Sequence, residues 1–93
     1  MITPKQQKVI REITGKYDPI LVGVFGSYAR DEQTKESDLD ILIDFNTKVN
    51  LLDLIGLEQE LSEVLGVKVD LITIRSVNER LMPYIQRDLI RIV

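Results

Sequence analysis

The sequence predicts a small α/β (α+β) fold: a mixed sheet of three or more strands packed with helices. Three observations predict it. Short apolar runs rich in β-branched residues, "ILVGVF", "DLDILIDF" and "VKVDLITI", alternate with longer stretches of helical periodicity. The apolar content, 44% of 93 residues, suffices for one core, so residues 1–93 are expected to form a single domain. The segment between the first two runs holds only a short helix, which leaves antiparallel as well as parallel pairing open.

The elements follow in order. "TPKQQKVIREITG" reads as the first helix, with Thr3 as cap, Pro4 at the first helical position and Gly15 as the stop. Val9, Ile10 and Ile13 form its apolar face. "ILVGVF" is a buried strand. "GSYAR" turns into a short helix, and "DEQTKES" is a polar loop. In the second strand, "DLDILIDF", parity places Asp38, Asp40, Leu42 and Asp44 on one face and Leu39, Ile41 and Ile43 on the other. The next helix is capped by Asn50, carries Asp53 in its first turn and stops at Gly66. Leu54, Leu57, Leu61, Val64 and Leu65 recur at helical spacing along it. Gly56 sits inside this helix at some cost, a position that close packing would explain. "VKVDLITI" is the third strand. Ser76 with Glu79 forms a capping-box pattern before a C-terminal helical region, which Pro83 kinks or restarts. Ile85, Leu89 and Ile92 supply the later apolar positions.

The charge balance narrows the chemistry. A net charge of −3 argues against stand-alone binding to nucleic acid. With no cysteine there is no disulfide, no thiolate zinc site and no cysteine nucleophile. With no histidine the commonest general base is missing as well. What remains is carboxylates, hydroxyls, Lys, Arg and backbone, a set suited to an oxygen-loving cation such as magnesium. The start, "MITPKQQKVI", lacks the apolar core of a signal peptide, and no run approaches membrane-spanning length. A cytoplasmic location is expected.

One stretch carries the chemistry. Gly26 and Ser27 are followed, after ten residues, by Asp38-Leu39-Asp40. Residues two apart on a strand share a face, with Cα atoms roughly 6–7 Å apart, so two carboxylates there can converge on a cation. Asp70 interrupts the third strand and joins them if that strand lies beside the second. Three clustered carboxylates suit a two-metal site. The Gly26-Ser27 turn lets backbone approach a phosphate, the following helix start adds a favourable dipole, and Arg30 can clamp a triphosphate. Each residue also has a plainer reading. Gly-Ser is often only a turn, Asp-x-Asp a solvated face, Asp70 a partner for Lys68 or Arg75, and Arg30 a surface residue. Asp44, near the strand end, is expected to face solvent, and Tyr28 to pack. Together the features describe phosphoryl or nucleotidyl transfer with a nucleoside triphosphate.

"GSYARDEQTKESDLD" resembles the signature of the DNA polymerase beta-like nucleotidyltransferase superfamily. More narrowly, "FGSYAR", "SDLDILI" and "VDLIT" resemble the minimal nucleotidyltransferases, the MNT family. The resemblance implies a palm-like sheet and Mg²⁺-dependent transfer of AMP from ATP. It implies that Asp38 and Asp40 hold two metal ions, that Asp70 completes the catalytic one, and that Gly26 and Ser27 hold the triphosphate. It also implies a partner, an all-helical HEPN ribonuclease toxin encoded nearby, which the MNT protein blocks by modifying a tyrosine. One departure stands out: the family's "GSYARG" reads Asp31 at its last position, where glycine would permit a left-handed turn and aspartate tolerates one. Two other functions fit the same fold, an antitoxin acting by contact alone and a nucleotidyltransferase for a small molecule or RNA.

Overall fold

The computed structural model describes residues 2–93. Helix α1 spans Pro4–Thr14, strand β1 Pro19–Phe25, β2 Leu39–Phe45, helix α2 Leu51–Leu65, β3 Val69–Thr73, α3 Met82–Asp88 and β4 Ile90–Arg91. The four strands form one sheet in the order β3-β2-β1-β4. β1 pairs antiparallel with β2 and β4, while β2 and β3 run parallel, so the sheet is mixed as expected.

Local signals place most boundaries. Thr3 accepts from the Gln6 amide and the Gln6 side chain accepts from the Thr3 amide, a reciprocal box that satisfies two orphan donors of α1. Asn50 Oδ1 caps α2 at the Asp53 amide, and Gly66 ends it in the left-handed region at φ 72°. Gly15 is the C-cap of α1, as expected. It stays right-handed at φ −58°, the chain continues as a 3₁₀ turn through Tyr17, and Asp18 makes the left-handed step at φ 50°.

The alternation in β2 works as parity dictates. Leu39, Ile41 and Ile43 are fully buried with Val22 and Val24 of β1 and Val69 of β3. Ile10 of α1 and Leu57 and Leu61 of α2 complete this core, so both long helices lie on one face of the sheet. Leu42, on the aspartate-bearing face, is also buried. Its cross-strand neighbour is Gly23, and Leu89 fills the space above that glycine. The C-terminal segment therefore covers part of the second face.

Three sequence expectations need correction. Val64 is well exposed, because the apolar stripe of α2 that meets the sheet runs through Leu57 and Leu61. Gly56 is exposed, and a Cβ there would touch nothing within 4 Å, so close packing does not explain it. Ser76 caps no helix: residues 74–76 form a 3₁₀ turn, and Ser76 Oγ donates to the Thr73 carbonyl. The chain instead turns on Asn78, whose carbonyl accepts from Leu81 and Met82, and the helix restarts with Pro83 in its first turn.

Candidate active site

Strand β1 runs directly into a single 3₁₀ turn, Gly26–Tyr28. Gly26 has φ 74°, where side chains are strained, and a Cβ would lie 2.3 Å from Asp40 Oδ2. The missing side chain thus lets the turn's backbone sit against the Asp40 carboxylate. The Ala29 and Arg30 amides both close on the Gly26 carbonyl at 3.1 Å. The expected short helix is only this turn and its continuation to Asp31, so a macrodipole contributes little and the backbone turn with the Ser27 hydroxyl remains. Asp31 adopts φ 59°, the left-handed step for which aspartate is better suited than most residues.

The aspartates come from neighbouring strands. Asp40 of β2 lies directly opposite Asp70 of β3 in the parallel register. Asp38 stands one residue before β2, at the same end. The structure therefore brings Asp38, Asp40, Asp70, Gly26 and Ser27 to one edge of one sheet face. Asp44 lies at the other end of β2, about 13 Å along the strand from Asp40. It lines a separate cavity of about 190 Å³ with Phe45, Lys48 and Arg75. Tyr28 is buried in the main core, which fits a packing role.

The carboxylates are held under electrostatic strain. Burial raises the pKa of Asp40, the charges of Asp70 and Asp38 raise it further, and Arg30 opposes them. Burial and then the charge of Asp38 raise Asp70, against the pull of Lys68. Lys68 Nζ lies 3.6 Å from Asp38 Oδ2, so the lysine pairs with Asp38 rather than with Asp70. Both ends of that pair are substantially exposed, which makes it weak compensation.

This donor set fits a magnesium-type ion: hard oxygens only, on adjacent strands, with repulsion that a cation would relieve. Among the described residues no three side chains converge into a ready-made cation cage. That suits an ion which commonly takes one or two carboxylates and completes its shell with phosphate oxygens and water.

Arg30 is pinned by two carboxylates. Its Nε donates to Glu32 Oε2 at 3.1 Å, and a terminal nitrogen donates to Asp88 Oδ2 at 2.8 Å. Sequence reasoning named Lys68 only as a partner for Asp70, where the structure pairs it with Asp38, and it missed Asp88. Lys68 carried a readable signal, since it sits two residues before Asp70 and shares its strand parity. Asp88 carried none, because its contact with Arg30 spans 58 residues of sequence.

Carboxylates gathered at one end of neighbouring strands beside a glycine-opened turn suit a class of protein that works on phosphate esters. The chain belongs to the nucleotidyltransferase domain family, whose sequence profile matches residues 6–92. It is 48% identical over 88 residues to a candidate protein adenylyltransferase of Methanocaldococcus jannaschii, covering 95% of this chain and 84% of the relative. It is 37% identical over 89 residues to the protein adenylyltransferase MntA of Thermococcus cleftensis, covering 96% and 87%. Among solved structures, a candidate minimal nucleotidyltransferase superimposes with a TM-score of 0.83 at 34% identity, covering 92% of this chain and 88% of that one. Two toxin–antitoxin structures share the fold. One, with AMP-PNP, has a TM-score of 0.84 at 24% identity over 94% of this chain and 72% of that one. The other, a tri-AMPylated Shewanella oneidensis HEPN toxin with its MNT antitoxin, has a TM-score of 0.78 at 21% identity, over 96% and 70%.

Proposed function

We propose that this chain is a Mg²⁺-dependent protein adenylyltransferase that moves AMP from ATP to a tyrosine of a HEPN-type ribonuclease toxin. It would thereby act as the antitoxin of a neighbouring toxin gene, in the cytoplasm, with residues 1–93 working as one unit. The observation that carries this reading is the juxtaposition of Asp40 with Asp70 and Asp38 against the backbone of Gly26. The relatives named adenylyltransferases support the donor and reaction, and the toxin–antitoxin structures support the kind of partner.

In this reading Gly26 and Ser27 cradle the triphosphate, the glycine by close backbone approach and the serine by its hydroxyl. Arg30 neutralises phosphate charge. Two Mg²⁺ ions, held by Asp38 and Asp40 with Asp70 completing one of them, would polarise the phosphates and stabilise the charge that develops on them. The tyrosine oxygen forms a bond to the α-phosphorus. The bond from that phosphorus to the oxygen bridging the β-phosphate breaks, and pyrophosphate leaves. The hydroxyl proton passes to Asp70, which acts as the general base in this reading.

Incubation of the purified toxin with this chain, ATP and Mg²⁺ tests the proposal by intact mass. A gain of whole AMP units on the toxin is expected, lost with Asp38→Asn or Asp40→Asn. Absence of transfer with any divalent cation would remove the reading. Neutralisation that survives the double substitution would replace chemistry by binding.

A further inference from the structure

We propose that Asp88 is a positioning residue for nucleotide binding, holding Arg30 in the orientation that meets the triphosphate. This inference rests on the reading of the site given above, and it adds the C-terminal segment to that site.

The contact is well placed for such a role. Asp88 is the last residue of α3, and its side chain is only 16% exposed, whereas that of Arg30 is 43% exposed. The carboxylate is thus the fixed partner and the guanidinium the adjustable one. Two further contacts fix Asp88 in turn. β4 begins two residues later and pairs with β1 at Gly23↔Arg91 and Val24↔Ile90. Leu89 packs against Gly23 so closely that a Cβ there would fall 2.5 Å from Leu89 Cδ1. The same β1 delivers Gly26 and Ser27. Asp88 and the Gly-Ser turn are therefore anchored on one strand, and the Arg30–Asp88 bond closes the loop between them.

A guanidinium has five N–H donors in a fixed plane. The Glu32 and Asp88 bonds take donors on Nε and Nη1 and leave the Nη2 donors for a phosphate, so the pair orients Arg30 without exhausting it. The Arg30 amide donates to the Gly26 carbonyl at 3.1 Å, which ties the residue to the turn that lies against Asp40. The partially exposed guanidinium would otherwise sample many rotamers, and ordering it in advance lowers the cost of binding.

The experiment compares the full-length wild type with Arg30→Met, Asp88→Asn and the double variant. Steady-state transfer gives KM and kcat for ATP, and calorimetry gives binding of inorganic tripolyphosphate. Each single variant is expected to raise KM and weaken tripolyphosphate binding about tenfold, with kcat changed much less, and the double variant is expected to match the singles rather than multiply them. Asp88→Glu should recover most of the loss. If Asp88→Asn fails to fold, Arg30→Lys carries the test. It keeps the charge but cannot accept the two-point orientation, so wild-type KM and binding there would overturn the proposal. Unchanged KM and binding in a folded Asp88→Asn, or multiplicative losses in the double variant, would overturn it too. Failure of the wild type to transfer AMP while it still binds tripolyphosphate in an Asp88-dependent way would count against the reaction, not against the positioning role.

Discussion

At the scale of single residues, the site is a set of choices made against stability. Gly26 serves two demands at once, a positive φ and contact with Asp40. Gly26→Ala should therefore destabilise the protein by about 2 kcal/mol or more and abolish transfer, measured by denaturant unfolding and labelled-AMP incorporation. The Asp40 carboxylate is the converse case. Half-buried beside two like charges, it is strained when ionised. Asp40→Asn should cut transfer by at least on the order of 10²–10³-fold while raising the cation-free melting temperature by roughly 2–5 °C. A variant that lost activity and stability together would show that Asp40 holds the fold rather than the chemistry. Asp31 occupies the left-handed region at φ 59°, a conformation that the glycine implied by the resemblance at this position would adopt without strain and that aspartate tolerates.

At the scale of elements, the long α2 helix and the terminal β4 strand respond to substitution in opposite ways. Gly56 lies in α2 with open space around it, so Gly56→Ala should stabilise by about 0.5–1 kcal/mol without affecting transfer, as a rise in melting temperature would show. Gly23→Ala has no such room. Its Cβ would meet the Leu89 side chain at 2.5 Å and the Ile90 carbonyl at 3.3 Å. A loss of about 1–3 kcal/mol is expected, with faster hydrogen exchange at Ile92, whose amide bonds the Val22 carbonyl. This difference also marks what the sequence could reveal. Strands β1 to β3, both long helices, and the nearness of Asp38 to Asp40 were legible, because each rests on local periodicity or on short spacing; Asp70 comes beside Asp40 through the pairing of β3 with β2. β4 was not legible, since two residues carry no alternation and their pairing with β1 is set by a glycine about seventy positions away. The Ser76–Glu79 pattern misled for a related reason. A capping box stabilises only a helix that continues, and here Asn78 turned the chain before Pro83 restarted it.

At the scale of the whole molecule, the proposed cation site makes stability depend on pH and on divalent ions together. Asp40 and Asp70 have pKa values raised in the folded state, so between the unfolded and folded values the native state binds more protons than the unfolded one. Their contribution to stability therefore falls as pH rises through the folded pKa, and once ionised both groups work against folding. Other carboxylates add pH dependence of their own, so the informative quantity is the difference between wild type and Asp40→Asn. Without divalent cations, the melting-temperature advantage of Asp40→Asn should be small at roughly pH 4 and widen toward pH 7. Magnesium binds only the folded arrangement and screens the same repulsion, so at about a hundred times its dissociation constant it should stabilise the wild type by about 2.7 kcal/mol. In a chain of this length that corresponds to a rise on the order of 10 °C. The advantage of Asp40→Asn should then vanish or reverse, because the variant has lost a ligand along with the repulsion. A differential scan at two pH values, with and without magnesium, separates the outcomes. If the gap between variant and wild type depended on neither pH nor magnesium, the three aspartates would not form an electrostatic unit, and the case for a shared cation at this edge of the sheet would fail.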